Sequence, residues 1–290
     1  MTPTGTASAA TPVFPTTALQ AIQQAYPDRH ARLLHQLLGH PLLTRDALAA
    51  LATRLPEASM EYNLGTLPVG LDPHDTPANG LSAAETIRSI DENRSWIVLK
   101  NIERDPAYGA LLDSVLAELA PLVMPVTGPM VRREAFLFLS SPGSVTPFHM
   151  DPEHNILLQI EGRKVMNLFP AGDPVLVPPT QSETFHAGGH RNLAWDEAFR
   201  DQMDPVTLTP GDAVLVPVKA PHFVQNGDGV SISLSITWRS ARSGAEADLH
   251  RFNRLLRARG WPLVRISGQP ERQRLARAGY RITCKLVGET

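Results

Sequence analysis

Three side chains in the second half of the chain have the types and spacing of a metal site. His149 and Asp151 stand two residues apart, so on extended backbone both leave one face and can reach a common ion. Alone this pair says little, because 29 acidic residues among 290 put an acid two positions after any histidine roughly one time in ten. His222 supplies a second imidazole, at the start of a β-rich run that follows a turn around Ala220 and Pro221. Two imidazoles and one carboxylate on one side of a metal, with open positions opposite, suit Fe(II) oxygen chemistry. Zinc takes the same ligands, so the residue types leave the metal open.

Lys164 bears on the chemistry more than the ligands do. It begins the run KVMNLF after a turn at Glu161 and Gly162, and by alternation shares a face with Met166 and Leu168. If that face is interior, the ammonium needs an anion, because burying it unpaired costs several kcal/mol. The plainer alternative puts it in water at the strand end, or against Glu161 or Glu183.

The elements that would position these residues lie between Glu134 and Trp238. There, short β-rich runs (AFLFLS, HNILLQI, KVMNLF, AVLVPV, HFVQN, VSISLSITW) alternate with Gly, Pro and Asp turns, a texture of a barrel or sandwich. A helix is expected within that series over Trp195 to Met203. Residues 1–17, rich in Thr, Ala and Pro, predict a disordered tail. Residues 18–125 predict a helical lead-in with the first strands: Pro27 and Pro41 cut it, and Thr44 is placed to cap a helix. Ser82 and Glu85 form a capping box for a helix to about Asp91, SWIVLK is a strand, and a helix runs from Asp105 to about Leu119. Residues 126–240 form the barrel core and residues 241–290 a basic helical segment. The fold class is mainly β with helical flanks at both ends.

Composition sets outer bounds. A formal charge of −2 and a pI near 6.6 argue against nucleic acid or an anionic membrane as partner. A single cysteine, Cys284, excludes an intrachain disulfide and suits a reducing, cytoplasmic setting. The start lacks the pattern of a secretory signal, and Asp113 and Glu118 interrupt the leucine-rich stretch from Tyr108 to Val126. Residues 239–290 carry twelve Lys or Arg against four Asp or Glu. With Leu255, Leu256, Leu263 and Leu275 among them, these charges predict amphipathic surface helices rather than a nucleic-acid site. His154 is expected to cap a strand, and His186 and His190 to lie in a solvated loop.

Gly143, His149, Asp151 and Gly162 together resemble the first motif of the cupins, with Asp151 where a second histidine is usual. Gly211, Pro217, His222 and Asn226 resemble the second motif, departing from it at Lys219, where the family usually has glycine. Thr146, Asn155 and Lys164 match, in spacing from His149, the JmjC (Jumonji C) and cupin-like Fe(II)/2-oxoglutarate-dependent oxygenases, over about Ala135 to Trp238.

The resemblance implies a double-stranded β-helix (cupin/jelly-roll) barrel. In it His149, Asp151 and His222 would hold Fe(II), while Lys164 and Thr146 bind the far carboxylate of 2-oxoglutarate and Asn155 lies near its metal-binding end. It implies a dioxygenase that consumes dioxygen to hydroxylate or demethylate an unidentified protein or small-molecule substrate, and a homodimer through the C-terminal helices. Asn226 and Trp238 would be supporting or core residues, core packing suiting Trp238. Two other readings stay open: a zinc- or manganese-dependent cupin isomerase or hydrolase, and a non-catalytic sensor or transcriptional regulator.

Overall fold

The computed structural model describes residues 11–64, 79–266 and 277–280. The lead-in begins with helix α1 (Thr16–Ala25), strand β1 (Ala31–Leu34) and helix α2 (Arg45–Ala52), which Thr44 caps through the amide of Ala47. Strand β2 (Met60–Leu64) follows, then helix α3 (Ala83–Arg88) with the expected Ser82/Glu85 capping box, and strand β3 (Ser95–Leu99). Helix α4 (Pro106–Thr127) passes through Pro121 and Pro125 and ends eight residues beyond the expected Leu119. By length and apolarity α4 resembles a membrane span. However, Tyr108, Leu112, Val115, Leu119 and Val123 are buried in the core, and the Glu118 carboxylate accepts hydrogen bonds from the amides of Val13 and Phe14.

Those last contacts correct the expectation of a loose tail for the described part of residues 1–17, from Val13 onward. Val13 and Phe14 are core residues and α1 is under way by Thr16. Two apolar side chains, with their amides satisfied by one carboxylate, offset the entropy that a Thr/Ala/Pro composition alone cannot. Residues 1–10 lie outside the described residues.

The barrel strands are β4 (Met130–Ser140), β5 (Val145–His149), β6 (His154–Glu161), β7 (Lys164–Leu168), β8 (Asp204–Leu208), β9 (Asp212–Val216), β10 (His222–Asn226) and β11 (Ser231–Ser240). Helix α5 (Pro179–His186) interrupts them and helix α6 (Ala241–Ala258) follows. The strands form two antiparallel sheets, one in the order β1-β9-β6-β11-β4-β3-β2 and the other β5-β10-β7-β8. This is the β-helix barrel of the sequence expectation, with extra strands at both edges of the larger sheet. Gly162 makes the β6–β7 turn possible: at φ 70° a Cβ there would stand 1.8 Å from the carbonyl oxygen of Val230.

Alternation assigns each face. On β11, Ile232, Leu234, Ile236 and Trp238 join the helices in the main core, while Ser231, Ser233, Ser235 and Thr237 are buried toward the second sheet. Between the sheets, Leu157, Val214 and Val216 meet Met166, Leu168, Val206, Leu208 and Val224. A third apolar cluster, Phe148, Met150, Phe169, Leu176 and Val177 with Trp195 and Phe223, lies on the outer side of the smaller sheet.

Two local expectations are corrected. The segment before His186 is a helix and that histidine is buried, stacked on His250 with ring centroids 5.1 Å apart, whereas His190 is exposed as expected. The Trp195–Met203 segment is a 3-10 turn over Glu197–Gln202, capped by Asp196. Leu263 follows the end of α6 and is exposed, while Leu275 and Cys284 lie outside the described residues.

Candidate metal centre

The smaller sheet brings the first three residues together. His149 ends β5, His222 opens β10, and the two are directly paired across the ladder, with ring centroids 4.1 Å apart. Cross-strand partners project to one face, which puts both imidazoles inside the barrel mouth. Asp151, two residues beyond, turns one carboxylate oxygen to both rings, 3.7 Å from Nε2 of His149 and 3.7 Å from Nε2 of His222. One ligand atom from each residue falls within 4.8 Å of the other two.

Each imidazole is fixed by its other nitrogen. Nδ1 of His149 donates to the Pro147 carbonyl at 2.7 Å and Nδ1 of His222 to the Ala220 carbonyl at 2.9 Å. Because a carbonyl only accepts, the Nε2 lone pairs are left facing the shared space. Burial, and then the neighbouring His222, push His149 down to about 4, so it is neutral and able to ligate. Burial disfavours ionised Asp151, yet His149, His222 and Arg191 together hold its carboxyl below the usual range. The Arg191 guanidinium donates to the second carboxylate oxygen at 3.1 Å. Two imidazoles and one carboxylate, with their ligand atoms converging on one space, fit a divalent first-row metal.

A bulge aligns the next residue. His222 pairs with His149 and Val224 with Thr146, so two residues of β10 span three of β5. The extra residue returns Thr146 to the inward face, while Phe148 turns outward into the aromatic cluster. The sequence spacing of three would otherwise set Thr146 and His149 on opposite faces.

Lys164 opens β7 opposite Asn226, on the face that carries His222 and Val224 on β10. Its row lies four residues, about 13 Å, along the strand from that of His222. It is 4% exposed, and Met166 and Leu168 share its face as expected. Neither proposed acidic partner is there, because Glu161 pairs with Arg45 and Glu183 with Arg257. Among the described residues no carboxylate meets this ammonium, and burial pushes it down to about 7. The neighbouring Asn226 donates to Ser144, and its buried Oδ1 has no partner. Asn155, on the opposing sheet, accepts from Ser235 at 2.8 Å.

His154 stays outside this group. Its ring faces the main core, between Tyr26 and Trp238, and its Nε2 contacts Ser240 at 3.1 Å. Sequence reasoning missed Arg191 and Lys219. The first touches Asp151 only because the loop before the 3-10 turn folds back, with Asn192 bridged to His149. The second donates its backbone N–H to the Asp151 carbonyl at 2.7 Å. Its departure from the family glycine was the available signal: at φ 58° it keeps the left-handed turn without being glycine.

The model of a family described as the cupin-like domain matches residues 82–244, more than half of the chain. The chain belongs to this cupin-like family. Human HSPB1-associated protein 1 is 34% identical over 112 residues, which are 36% of this chain and 23% of that protein. Zebrafish (Danio rerio) lysine-specific demethylase 8 is 28% identical over 102 residues, 33% of this chain and 25% of its own length. The matched stretch therefore spans about a quarter of each of these relatives. Among solved structures, Escherichia coli YcfD, a ribosomal oxygenase in complex with cobalt and 2-oxoglutarate, superposes with a TM-score of 0.52 at 13% identity, covering 94% of this chain and 67% of YcfD. That likeness is one of fold.

Proposed function

We propose that this cupin-like protein is an Fe(II)- and 2-oxoglutarate-dependent oxygenase that hydroxylates or demethylates a protein or small-molecule substrate. The observation that carries the reading is Lys164, an ammonium buried without a carboxylate on the inner barrel face that also bears the His149/Asp151/His222 cluster. A charge in that position is stable only with an anion across from it. A dicarboxylate that ligates a metal at one end would bring the second carboxylate to that depth. A zinc or manganese isomerase would leave the ammonium without purpose. The basic C-terminal segment gives little support to a regulator, since Arg242, Arg251 and Arg257 are engaged within the molecule.

His149, Asp151 and His222 would hold the metal, and Lys164 and Thr146 would bind the far carboxylate, the first as an ion pair and the second by donating its hydroxyl hydrogen. Asn155, its carbonyl already occupied by Ser235, would offer its amide N–H groups to the metal-proximal end. The metal with bound 2-oxoglutarate would supply oxidative decarboxylation by dioxygen, giving succinate and carbon dioxide while a substrate C–H bond is oxidised. Leu157, Met166, Leu168 and Val214 pack between the two sheets on the same inner faces and would keep water from the site. The fold neighbour YcfD, which takes cobalt and 2-oxoglutarate, and the demethylase relative are consistent with this reading.

The test is direct. Protein loaded anaerobically with Fe(II) and then exposed to air should convert 2-oxoglutarate to succinate slowly even without substrate, and His149→Ala should abolish the conversion. Metal-loaded protein that neither binds nor turns over 2-oxoglutarate refutes the proposal.

A further inference from the structure

Away from the chamber, a second buried charge cluster sits between α6 and the loop that enters β10. Lys219 is 9% exposed, and its ammonium meets the Glu246 carboxylate and donates to Nε2 of His250 at 2.9 Å, both on α6. A cavity of about 630 Å³ between α5, α6 and this loop opens onto the three residues. Its other charges, Asp28 and Arg242, pair with each other, so it selects no ligand by charge.

Lys219 carries two costs at once. A side chain at φ 58° occupies the left-handed region, which disfavours residues with a Cβ, and its ammonium is out of water. Glycine would avoid both. The lysine instead links helix to loop, and the loop leads directly to the metal cluster: its backbone N–H holds the Asp151 carbonyl at 2.7 Å, and three residues later His222 opens β10. The next carbonyl, Ala220, accepts from Nδ1 of His222. One residue thus touches the backbone of one candidate ligand and precedes the residue that orients another.

We propose that Lys219, clamped by Glu246 and His250, is a positioning residue through which α6 sets the relative placement of Asp151 and His222. The inference rests on the metal reading of the His149/Asp151/His222 cluster. Groups that orient metal ligands typically account for 10–100-fold in metal affinity.

The test uses the full chain titrated with cobalt(II) chloride under argon, reading both affinity and the visible absorption bands, which report ligand geometry. Lys219→Gly keeps the turn without strain and removes only the clamp, so it and Glu246→Ala should each weaken cobalt binding about tenfold and shift the bands. The double variant should be no worse than the poorer single, because both break one link; it also leaves no unpaired ammonium if Glu246→Ala alone fails to fold. Arg257→Ala is the control, since it breaks the pairing of α6 with Glu183 on α5 without touching Lys219. Its affinity and bands should match the parent. If Arg257→Ala changes cobalt binding as much, or if Lys219→Gly and Glu246→Ala behave as the parent, the positioning role is overturned. If the parent binds cobalt no better than His149→Ala, the metal reading falls and this inference with it.

Discussion

Replacing Lys164 by methionine separates the cost of the buried ammonium from its use. Burial alone takes this lysine from 10.5 to about 7, a difference worth about 5 kcal/mol at 1.36 kcal/mol per tenfold change in acidity. The unfolded chain keeps the proton up to about pH 10.5, whereas the folded one releases it near 7. Between those values the unfolded state binds more protons, so stability rises with pH, and below about 7 the penalty is fully present. Methionine fills similar volume without the charge. At pH 6.5 the variant should therefore be the more stable protein in urea unfolding, by a few kcal/mol, and the advantage should shrink toward pH 10. Binding of 2-oxoglutarate should change in the opposite direction. Losing the cation opposite a buried carboxylate costs about 2–5 kcal/mol, or roughly 30- to several-thousand-fold in affinity. Calorimetry of manganese-loaded protein in two buffers of different ionisation heat should show the parent, at pH 8, taking up a proton as 2-oxoglutarate binds, and Lys164→Met taking up none. Equal affinity in the two proteins, or parent stability that is flat between pH 7 and 10, would refute the reasoning.

Other substitutions probe separate parts of the argument. Asp151→Asn removes the only carboxylate of the candidate metal cluster and should lower metal affinity at least 100-fold by titration, with succinate formation lost. Thr146→Val keeps shape and loses the hydroxyl, so the KM for 2-oxoglutarate should rise about tenfold while metal affinity stays unchanged. Gly162→Ala forces a Cβ against the Val230 carbonyl at a positive φ and should destabilise the protein by about 3 kcal/mol or more in urea. Phe14→Ala should cost about 3–5 kcal/mol in the same assay, whereas a residue in a loose tail would cost nothing.

The barrel was readable because its strands are short β-rich runs and its turns carry Gly and Pro at the required places. Gly211 at φ 94° before β9 and Gly162 before β7 are examples. The convergence of His149 with Asp151 and the face Lys164 shares with Met166 and Leu168 follow from period-two alternation once a strand is recognised. The alignment of Thr146 was not: a bulge cannot be read from spacing, and the count of three from His149 points to the wrong face. Phe14 was hidden by its composition, because what orders it is Glu118, some hundred residues away. His186 was masked by the following glycines, which suggested a loop where they end a helix. Arg191 and Lys219 reach Asp151 through tertiary contacts that leave no local pattern.

The strict division of β11, with four hydroxyl residues on one side and Ile232, Leu234, Ile236 and Trp238 on the other, makes this strand the keel of the molecule. Sliding it by a single position would drive a row of alcohols into grease and thrust an indole into the space between the two sheets. Both errors are so unfavourable that the register of β11 is strongly specified, and with it the rows of β4 and β6 on either side.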